Sequence, residues 1–400
     1  MSRSSLHIPQ GFLFSGAVAG IKISGAPDLA VALAPAGAAA AAMFTSNRVV
    51  AAPVKVGRAM LESSGGKVSA LIVNSGNANC ATGKTGLDDC TSICRQVAKA
   101  LQCPVEEVFP SSTGVIGVPL PAQRILTALP ALLQSTGSSA AHVDRFARAI
   151  MTTDTRRKTA SVAFRCDGGT GTILGIAKGA GMIHPKLATM LVYLFTDVKV
   201  RPSQLKSLLK EAAGATFNRI SIDGDTSTND TVLLLASGAS KATLAKPADK
   251  SRFAAALTQV CGSLAKQIVG DGEGVQHVVA LRIEQAASEA EAEQVARVIA
   301  NSPLVKTAWA GADPNWGRVL AAVGYSGVPI TPERVSIFFG PHQVCRKGGK
   351  APFNEAKVHA YLKRPEFEIR VVLGMGRASA TFWTCDLSAE YVKINAEYRT

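Results

Sequence analysis

One threonine, Thr189, lies at a position where cleavage of the preceding peptide bond would turn it into an N-terminal nucleophile. Thr189 follows a glycine-rich stretch, residues 178–182, and a loop with Pro185, and it precedes the apolar run of residues 190–196. Such a loop can hold a peptide bond in a strained, exposed arrangement in which the threonine hydroxyl attacks the carbonyl of Ala188. Water then cleaves the ester, and the freed α-amino group, with a pKa of about 8, can take the hydroxyl proton. Composition alone favours a threonine that only opens a strand.

A second polar segment resembles a calcium loop but lacks two of its parts. Asp223, Asp225 and Ser227 fall at the first ligand positions of an EF-hand loop. Thr228 replaces the glycine in the middle of that loop, and Leu234 replaces its final glutamate. The segment therefore predicts a hydrogen-bonded loop near the site rather than a calcium site.

Helices and strands mix along the whole chain and must position these residues. Short apolar runs rich in branched side chains predict buried strands over residues 68–73, 172–177, 190–196, 231–236, 277–283, 335–339 and 367–373. One-sided apolar spacing predicts helices around residues 93–101, 205–209 and 253–268. The Ala-rich run of residues 29–44 is interrupted by Pro35 and Gly37 and is too short to span a bilayer.

The ordered set of motifs resembles the ornithine acetyltransferase family of arginine biosynthesis. The hallmark of that family is a Lys-Gly-Ser/Ala-Gly-Met run that ends in Ala-Thr-Met-Leu, and both parts are present at residues 178–182 and 188–191. The further matching stretches are residues 74–79, 112–117, 151–155, 223–231, 272–274, 313–318 and 391–395, with the chain closing at Thr400. Each stretch alone is a weak signal, but their order along the chain is specific.

The resemblance implies a role for each matching residue. Thr189 would be the nucleophile after autoproteolysis between Ala188 and Thr189, and Thr113 and Gly114 would form the oxyanion hole. The substrate would be bound by Thr152, Lys178, Thr189, Glu273, Asn395 and Thr400. A substrate carboxylate suits a lysine, and the ornithine ammonium suits a glutamate. Whether Thr152 or Thr153 contacts the substrate stays open.

The resemblance also implies a reaction, a fold and an assembly. An acetyl group would pass from N2-acetyl-L-ornithine to L-glutamate through an acetyl-threonine ester, with no metal and no organic cofactor. Some family members also accept acetyl-CoA, and the residues leave this co-substrate open. The fold would be α/β, a layered α/β/β/α N-terminal-nucleophile-like fold with a smaller C-terminal α/β lobe. Residues 1–188 would form an α fragment and residues 189–400 a β fragment, assembled as a heterotetramer of two of each.

Two stretches depart from the pattern of the family. Many relatives have Ala-Pro-Asn-Met before the Ala-Thr bond, where this chain has His-Pro-Lys-Leu at residues 184–187. Arg156 and Arg157 replace a more usual aromatic-proline pair. The processing rate and the exact acceptor therefore stay open. Residues 313–318 are interpreted as a structural turn, and whether it borders the active site stays open as well.

Charge and cysteine usage exclude several other classes. The net charge is +14, but the excess is spread along the chain and aromatic residues make up only 6%, so no nucleic-acid partner is expected. The eight cysteines form no CxxC pair and are expected to be free thiols. No signal peptide and no membrane span are expected, which indicates a cytoplasmic protein that binds small-molecule substrates.

Two other functions remain as alternatives. An autoprocessed aminopeptidase or amidase would pass the acyl group to water, and it would release acetate or an amino acid without any need for glutamate. A processed binding protein without activity would be indicated by a missing threonine or oxyanion pair, yet Thr189, Thr113 and Gly114 are all present.

Overall fold

The computed structural model describes residues 6–184 and 190–397. The strands within these ranges are β1 (Leu13–Ala17), β2 (Leu29–Phe44), β3 (Lys67–Asn77), β4 (Val108–Val115), β5 (Lys158–Cys166), β6 (Gly169–Lys178), β7 (Leu191–Thr196), β8 (Thr231–Ala236), β9 (Val278–Ala286), β10 (Ser336–Phe339), β11 (His342–Arg346), β12 (Gly349–Lys350), β13 (Glu366–Val372) and β14 (Ala378–Cys385). The helices are α1 (Ala52–Ser63), α2 (Gly83–Leu101), α3 (Ala122–Gln134), α4 (Ala140–Ala149), α5 (Pro202–Ala215), α6 (Pro247–Val269), α7 (Glu289–Ala300), α8 (Pro303–Ala310), α9 (Trp316–Gly324), α10 (Glu355–Leu362) and α11 (Ala389–Glu397).

The larger sheet has eight strands and contains both sides of the proposed cleavage point. Its order is β4-β3-β2-β8-β7-β6-β5, and β1 pairs with β2 outside this path. β7 and β8 run parallel to each other, and they are flanked by antiparallel β6 and β2. The two strands from after residue 189, β7 and β8, therefore lie side by side between strands from before residue 185 in one hydrogen-bonded sheet.

The middle of this sheet is buried on both faces. In β7, Val192 and Leu194 pack toward α5 and α6, while Tyr193 and Phe195 pack on the other face against Phe14 of β1 and residues of α4. All six residues of β7 are buried. A strand that is covered on both faces has a continuous apolar sequence. This pattern is why the sequence predicted a strand here.

The smaller sheet forms a C-terminal lobe. It has six strands in the order β12-β11-β10-β13-β9-β14. One face packs on helices α7 to α10 around the buried Trp309, and the other face carries polar side chains such as Arg282 and Arg370. The alternation of apolar and polar residues along β13 follows from this one-sided burial. The expected layered α/β fold with a smaller C-terminal lobe is confirmed.

Each predicted strand and helix has a counterpart in the structure. The strand ends differ from the predicted ones by at most four residues, whereas α2, α5 and α6 extend beyond the predicted ranges by up to ten residues. No secondary structure was predicted for the Ala-rich run of residues 29–44. It forms β2, which pairs with β1, β3 and β8. None of the helices in the described ranges has the length and hydropathy of a membrane span.

Candidate active site

One pocket collects residues from distant parts of the sequence. It lies where β4 and β6 end, below the loop that precedes β8. Its lining is Ala78, Thr113, Gly114, Ile116, Thr152, Thr153, Lys178, Gly181, Met182, Ser227, Thr228, Asn229, Glu273 and Asn395. The structure thus brings together all the predicted site residues that it describes. Ala188, Thr189 and Thr400 lie outside the described residues.

The corner of the pocket that contains Thr113 and Gly114 is formed by the ends of the parallel strands β3 and β4. Gly76 pairs with Gly114 there, and Gly114 has a φ of +132°. A Cβ atom on Gly114 would lie 2.3 Å from the backbone carbon of Gly76, so only glycine fits this position. Thr113 is buried beside it and accepts a hydrogen bond from Lys178 Nζ at 3.4 Å.

Two buried amide side chains hold this corner in place. Asn74 accepts a hydrogen bond from Ser112 Oγ at 2.5 Å and donates to the carbonyl of Asn77 at 2.8 Å. Asn229 donates to the carbonyls of Ala78 at 2.7 Å and Ser112 at 2.9 Å. Because Asn229 bridges two backbone carbonyls and Asn74 connects the Ser112 hydroxyl with the carbonyl of Asn77, the backbone that presents Thr113 and Gly114 is fixed from two sides.

Lys178 is the buried cation of the pocket. It is the last residue of β6, and its Nζ lies 3.9 Å from Asp154 Oδ2. Burial lowers the pKa of Lys178, and the nearby Asp154 carboxylate acts in the opposite direction. The ammonium group is therefore costly to keep charged, and an anionic ligand in the pocket would stabilise it.

Glu273 supplies the opposite charge across the pocket. Its backbone N–H donates to the carbonyl of Ala180 at 2.8 Å. A Cβ on Gly181 would lie 2.6 Å from Glu273 Oε2, so a larger residue at position 181 would displace the carboxylate from its present place. Asn395 of α11 donates to the same oxygen at 2.9 Å. A pocket with a cation on one side and a carboxylate on the other suits a small molecule that carries both charges.

Helix α11 reaches the pocket through a tight contact with Gly274. This glycine has a φ of +68°, and a Cβ on it would lie 2.5 Å from the backbone nitrogen of Tyr391. Its carbonyl accepts a hydrogen bond from Ser388 Oγ at 2.6 Å. The Gly272–Gly274 motif therefore docks the C-terminal helix that carries Asn395.

Hydrogen bonds to residues of the Asp223 segment hold the chain as far as Ile183. Met182 has a left-handed φ of +59°, and the backbone N–H groups of Met182 and Ile183 both donate to the carboxylate of Asp223. Ser221 Oγ donates to the carbonyl of Ile183 at 3.1 Å. Burial raises the pKa of Asp223 to about 6. The Asp223–Thr231 motif thus anchors this segment by hydrogen bonds, and it also lines the pocket with Ser227, as predicted for a loop near the site.

Some residues of the site were not found from the sequence, and one motif lies elsewhere. Gly181, Met182 and Asn229 also line the pocket. Each belongs to one of the stretches that match the family, but the sequence did not indicate that these residues face the pocket. Both Thr152 and Thr153 reach the pocket. The Asp313–Arg318 turn does not line it, because its Asn315 caps α9 in the C-terminal lobe. All eight cysteines are free, as expected.

Curated relatives match nearly the full chain. The "Arginine biosynthesis bifunctional protein ArgJ" of Chlorobaculum tepidum is 44% identical over 392 residues, which cover 98% of this chain and 96% of that protein. The protein of the same name from Geobacter sulfurreducens is 44% identical over 394 residues, which cover 98% of this chain and 99% of that protein. The model of the ArgJ family matches residues 13–400.

Solved structures of similar proteins match about half of the chain. Arginine biosynthesis bifunctional protein ArgJ from Bacillus halodurans is 42% identical, covers 52% of this chain and 98% of its own, and has a TM-score of 0.49. Ornithine acetyltransferase from Mycobacterium tuberculosis, solved in complex with ornithine, is 37% identical, covers 47% and 98%, and has a TM-score of 0.43.

The chain has a layered α/β fold with the pocket at the strand ends of its larger sheet. Within that class, the family match and the curated relatives are decisive. The chain belongs to the ArgJ family, and it is an acyltransferase of arginine biosynthesis.

Proposed function

We propose that this protein cuts itself between Ala188 and Thr189 and then transfers the acetyl group of N2-acetyl-L-ornithine to L-glutamate through an acetyl-Thr189 ester. The main support for the proposal is that one pocket, in a chain of this family, is lined by Thr113, Gly114, Lys178 and Glu273. The strand that follows the proposed nucleophile starts at this pocket, since Leu191 of β7 pairs with Lys178 of β6.

Cleavage is the step that makes the general base. The hydroxyl of Thr189 attacks the carbonyl carbon of Ala188, the peptide nitrogen leaves as an amine, and the ester that forms is hydrolysed by water. The freed α-amino group of Thr189 has an ordinary pKa of about 8, so a large share of it is neutral near physiological pH. Nucleophile and base then belong to the same residue, as in other enzymes with an N-terminal threonine. The hydrogen bonds from Met182 and Ile183 to Asp223 fix the backbone shortly before the proposed cleavage point.

Acetyl transfer follows in two half-reactions. The α-amine accepts the hydroxyl proton while Thr189 Oγ bonds to the acetyl carbon, and Thr113 and Gly114 stabilise the oxyanion. The C–N bond then breaks, and the α-amine of ornithine leaves with the proton. In the second half-reaction the amine of glutamate attacks the ester, and the threonine oxygen leaves and regains a proton. An amide is exchanged for an amide, so no energy source, metal or organic cofactor is needed.

The charges in the pocket support the orientation of the substrate. The α-carboxylate of acetylornithine would pair with Lys178, and its side-chain ammonium would pair with Glu273, which Asn395 supports by a hydrogen bond at 2.9 Å. Thr152 and Thr400 would complete the binding site with polar groups. Glutamate presents the same α-carboxylate to Lys178 in the second half-reaction, which suits a site that both substrates visit in turn.

After cleavage, residues 1–188 and 189–400 would be separate chains that stay together. β8 pairs with β2 and β7 pairs with β6, so each fragment contributes neighbouring strands to one sheet. The large apolar clusters on both faces also contain residues from each fragment. We infer a tightly associated αβ unit and, from the family resemblance, a pair of such units as a heterotetramer. A cytoplasmic location is part of the proposal, since eight free cysteines suit a reducing compartment.

The test is to give the purified protein N2-acetyl-L-ornithine with and without L-glutamate. We expect acetylglutamate and ornithine in equal amounts when both substrates are present, and little free acetate when glutamate is absent. Steady release of acetate without glutamate would instead identify an amidase. Adding acetyl-CoA with glutamate decides whether the protein also uses that donor, as the word bifunctional in its relatives' names suggests.

A further inference from the structure

Four buried charges form a cluster that adjoins the pocket through Lys178. The cluster consists of Asp154, Lys158, Lys178 and Asp271, whose side chains are 0%, 1%, 5% and 4% exposed. Two carboxylates and two ammonium groups balance in formal charge. Only Lys178 lines the pocket. Burying a charge costs free energy, so buried charges are expected to be closely paired or to serve a function.

Lys158 is the centre of this charge cluster. Its Nζ lies 2.6 Å from Asp154 Oδ1 and 2.5 Å from Asp271 Oδ2, closer than Lys178 lies to Asp154, at 3.9 Å. Burial acts to raise the pKa of Asp154, but Lys178, Lys158 and a hydrogen bond from Gly179 outweigh it and hold that pKa at about 2. Asp154 is therefore a permanent anion whose closest counterion is Lys158.

The two carboxylates also fix the backbone that carries the pocket residues. Asp154 accepts hydrogen bonds from the backbone N–H groups of Thr152 at 3.0 Å and Gly179 at 2.6 Å. Asp271 accepts from the backbone N–H of Thr155 at 3.0 Å. Asp271 itself is two residues before Glu273. The cluster thus connects the loop of Thr152, the end of β6 and the start of the segment that carries Glu273.

We propose that Lys158 is a positioning residue of the acetyl-transfer site, whose buried ammonium group neutralises Asp154 and Asp271 so that Lys178 pairs with the substrate carboxylate instead of with Asp154. The role in transfer rests on the proposed function, whereas the electrostatic claim does not. Without Lys158, Asp154 would lack its nearest counterion, and Lys178 would become that counterion.

The charges around Lys178 determine in which direction its pKa should move when one of them is removed. Burial is the largest influence on the pKa of Lys178 and lowers it; Asp154 raises it, Lys158 lowers it, and Asp230 and Glu273 raise it. Lys22, on the loop after β1, is a further cation within range. Removing Lys158 therefore raises the pKa of Lys178, whereas removing the charge of Asp154 lowers it.

The test compares Lys158→Met and Asp154→Asn with the wild-type protein. The pKa of Lys178 is followed by NMR in protein labelled with carbon-13 at lysine Cε, and its resonance is assigned as the one missing from Lys178→Arg. We expect Lys158→Met to raise this pKa by about one pH unit and Asp154→Asn to lower it by a similar amount. The alkaline limb of kcat/KM for acetylornithine should move in the same two directions. Lys266→Met, which removes an exposed lysine paired with Glu366, should leave the pKa of Lys178 unchanged.

A third variant keeps the proposal testable if Lys158→Met does not fold. Asp271→Asn leaves Lys158 with one carboxylate and is expected to lower the pKa of Lys178, although Asp271 does not line the pocket. Shifts of the same sign in Lys158→Met and Asp154→Asn, or an unchanged pKa in both Asp154→Asn and Asp271→Asn, would overturn the proposal. A wild-type protein without acetyl transfer would refute the proposed function, while the NMR titration would still decide the electrostatic claim.

Discussion

Replacing Thr189 by alanine is expected to give one uncut chain of 400 residues that transfers no acetyl group. The variant lacks the hydroxyl that attacks the Ala188 carbonyl, so the peptide bond stays intact and the α-amine that serves as general base is never made. Removing a nucleophile that acts together with its base typically lowers kcat by about 10,000-fold or more. A denaturing gel and an acetyl-transfer assay on the same preparation measure both effects.

Two control variants separate this effect from a general disturbance. Thr189→Ser keeps a hydroxyl and should still be cut and still transfer acetyl groups at a reduced rate. Thr170→Ala alters an exposed threonine of β6 and should behave as the wild-type protein does. An uncut Thr189→Ala protein with substantial activity would refute the mechanism, since neither the nucleophile nor the base would then come from Thr189.

Replacing Thr113 by valine is expected to lower kcat by about 100-fold to 1,000-fold, because the oxyanion would lose one of its two hydrogen-bond donors. Valine has nearly the shape of threonine, and Thr113 is buried at 7% exposure at the end of β4, so packing should change little. The N–H of Gly114 would remain, which is why some activity should persist. The change should appear in kcat, since the donor is needed most when negative charge develops on the substrate oxygen.

The serine variant at the same position is the matched control. Thr113→Ser keeps the hydroxyl and should retain most of kcat. Cleavage between residues 188 and 189 also passes through an oxyanion, so Thr113→Val is best measured after complete processing has been verified on a gel. A Thr113→Val enzyme whose kcat equals that of the wild type, with only KM raised, would assign the hydroxyl to substrate binding and not to the oxyanion hole.

The sequence was informative about strands but not about β2. Its Ala-rich run, residues 29–44, suits a helix by intrinsic propensity, and Pro35 and Gly37 interrupt any regular pattern. In the structure, pairing with β1, β3 and β8 outweighs that propensity. The proline and glycine fall where the register between β2 and β3 shifts, between Leu33 and Ala38, and such irregularities tolerate both residues. Neighbouring strands that are far away in sequence decided this element.

The predicted site residues that the structure describes lie in one pocket, and they could be predicted because the resemblance assigned each of them a role from its own motif. Composition and spacing alone gave no reason to connect Thr113 with Glu273, which are far apart in sequence. The charge cluster shows the same limit more clearly. Lys158 and Asp271 form a buried pair across 113 positions, and no local pattern marks either residue as a partner of the other. Such pairs depend on sheet order and on the path of α6, which a single sequence does not show.

The most direct test of the central claim is an intact-mass measurement of the protein mixed with N2-acetyl-L-ornithine in the absence of glutamate. We expect two fragments, residues 1–188 and 189–400, with the second heavier by one acetyl group that maps to Thr189 and disappears when L-glutamate is added. An active preparation that consists of one uncut chain, or that carries the transferable acetyl group on another residue, would contradict it.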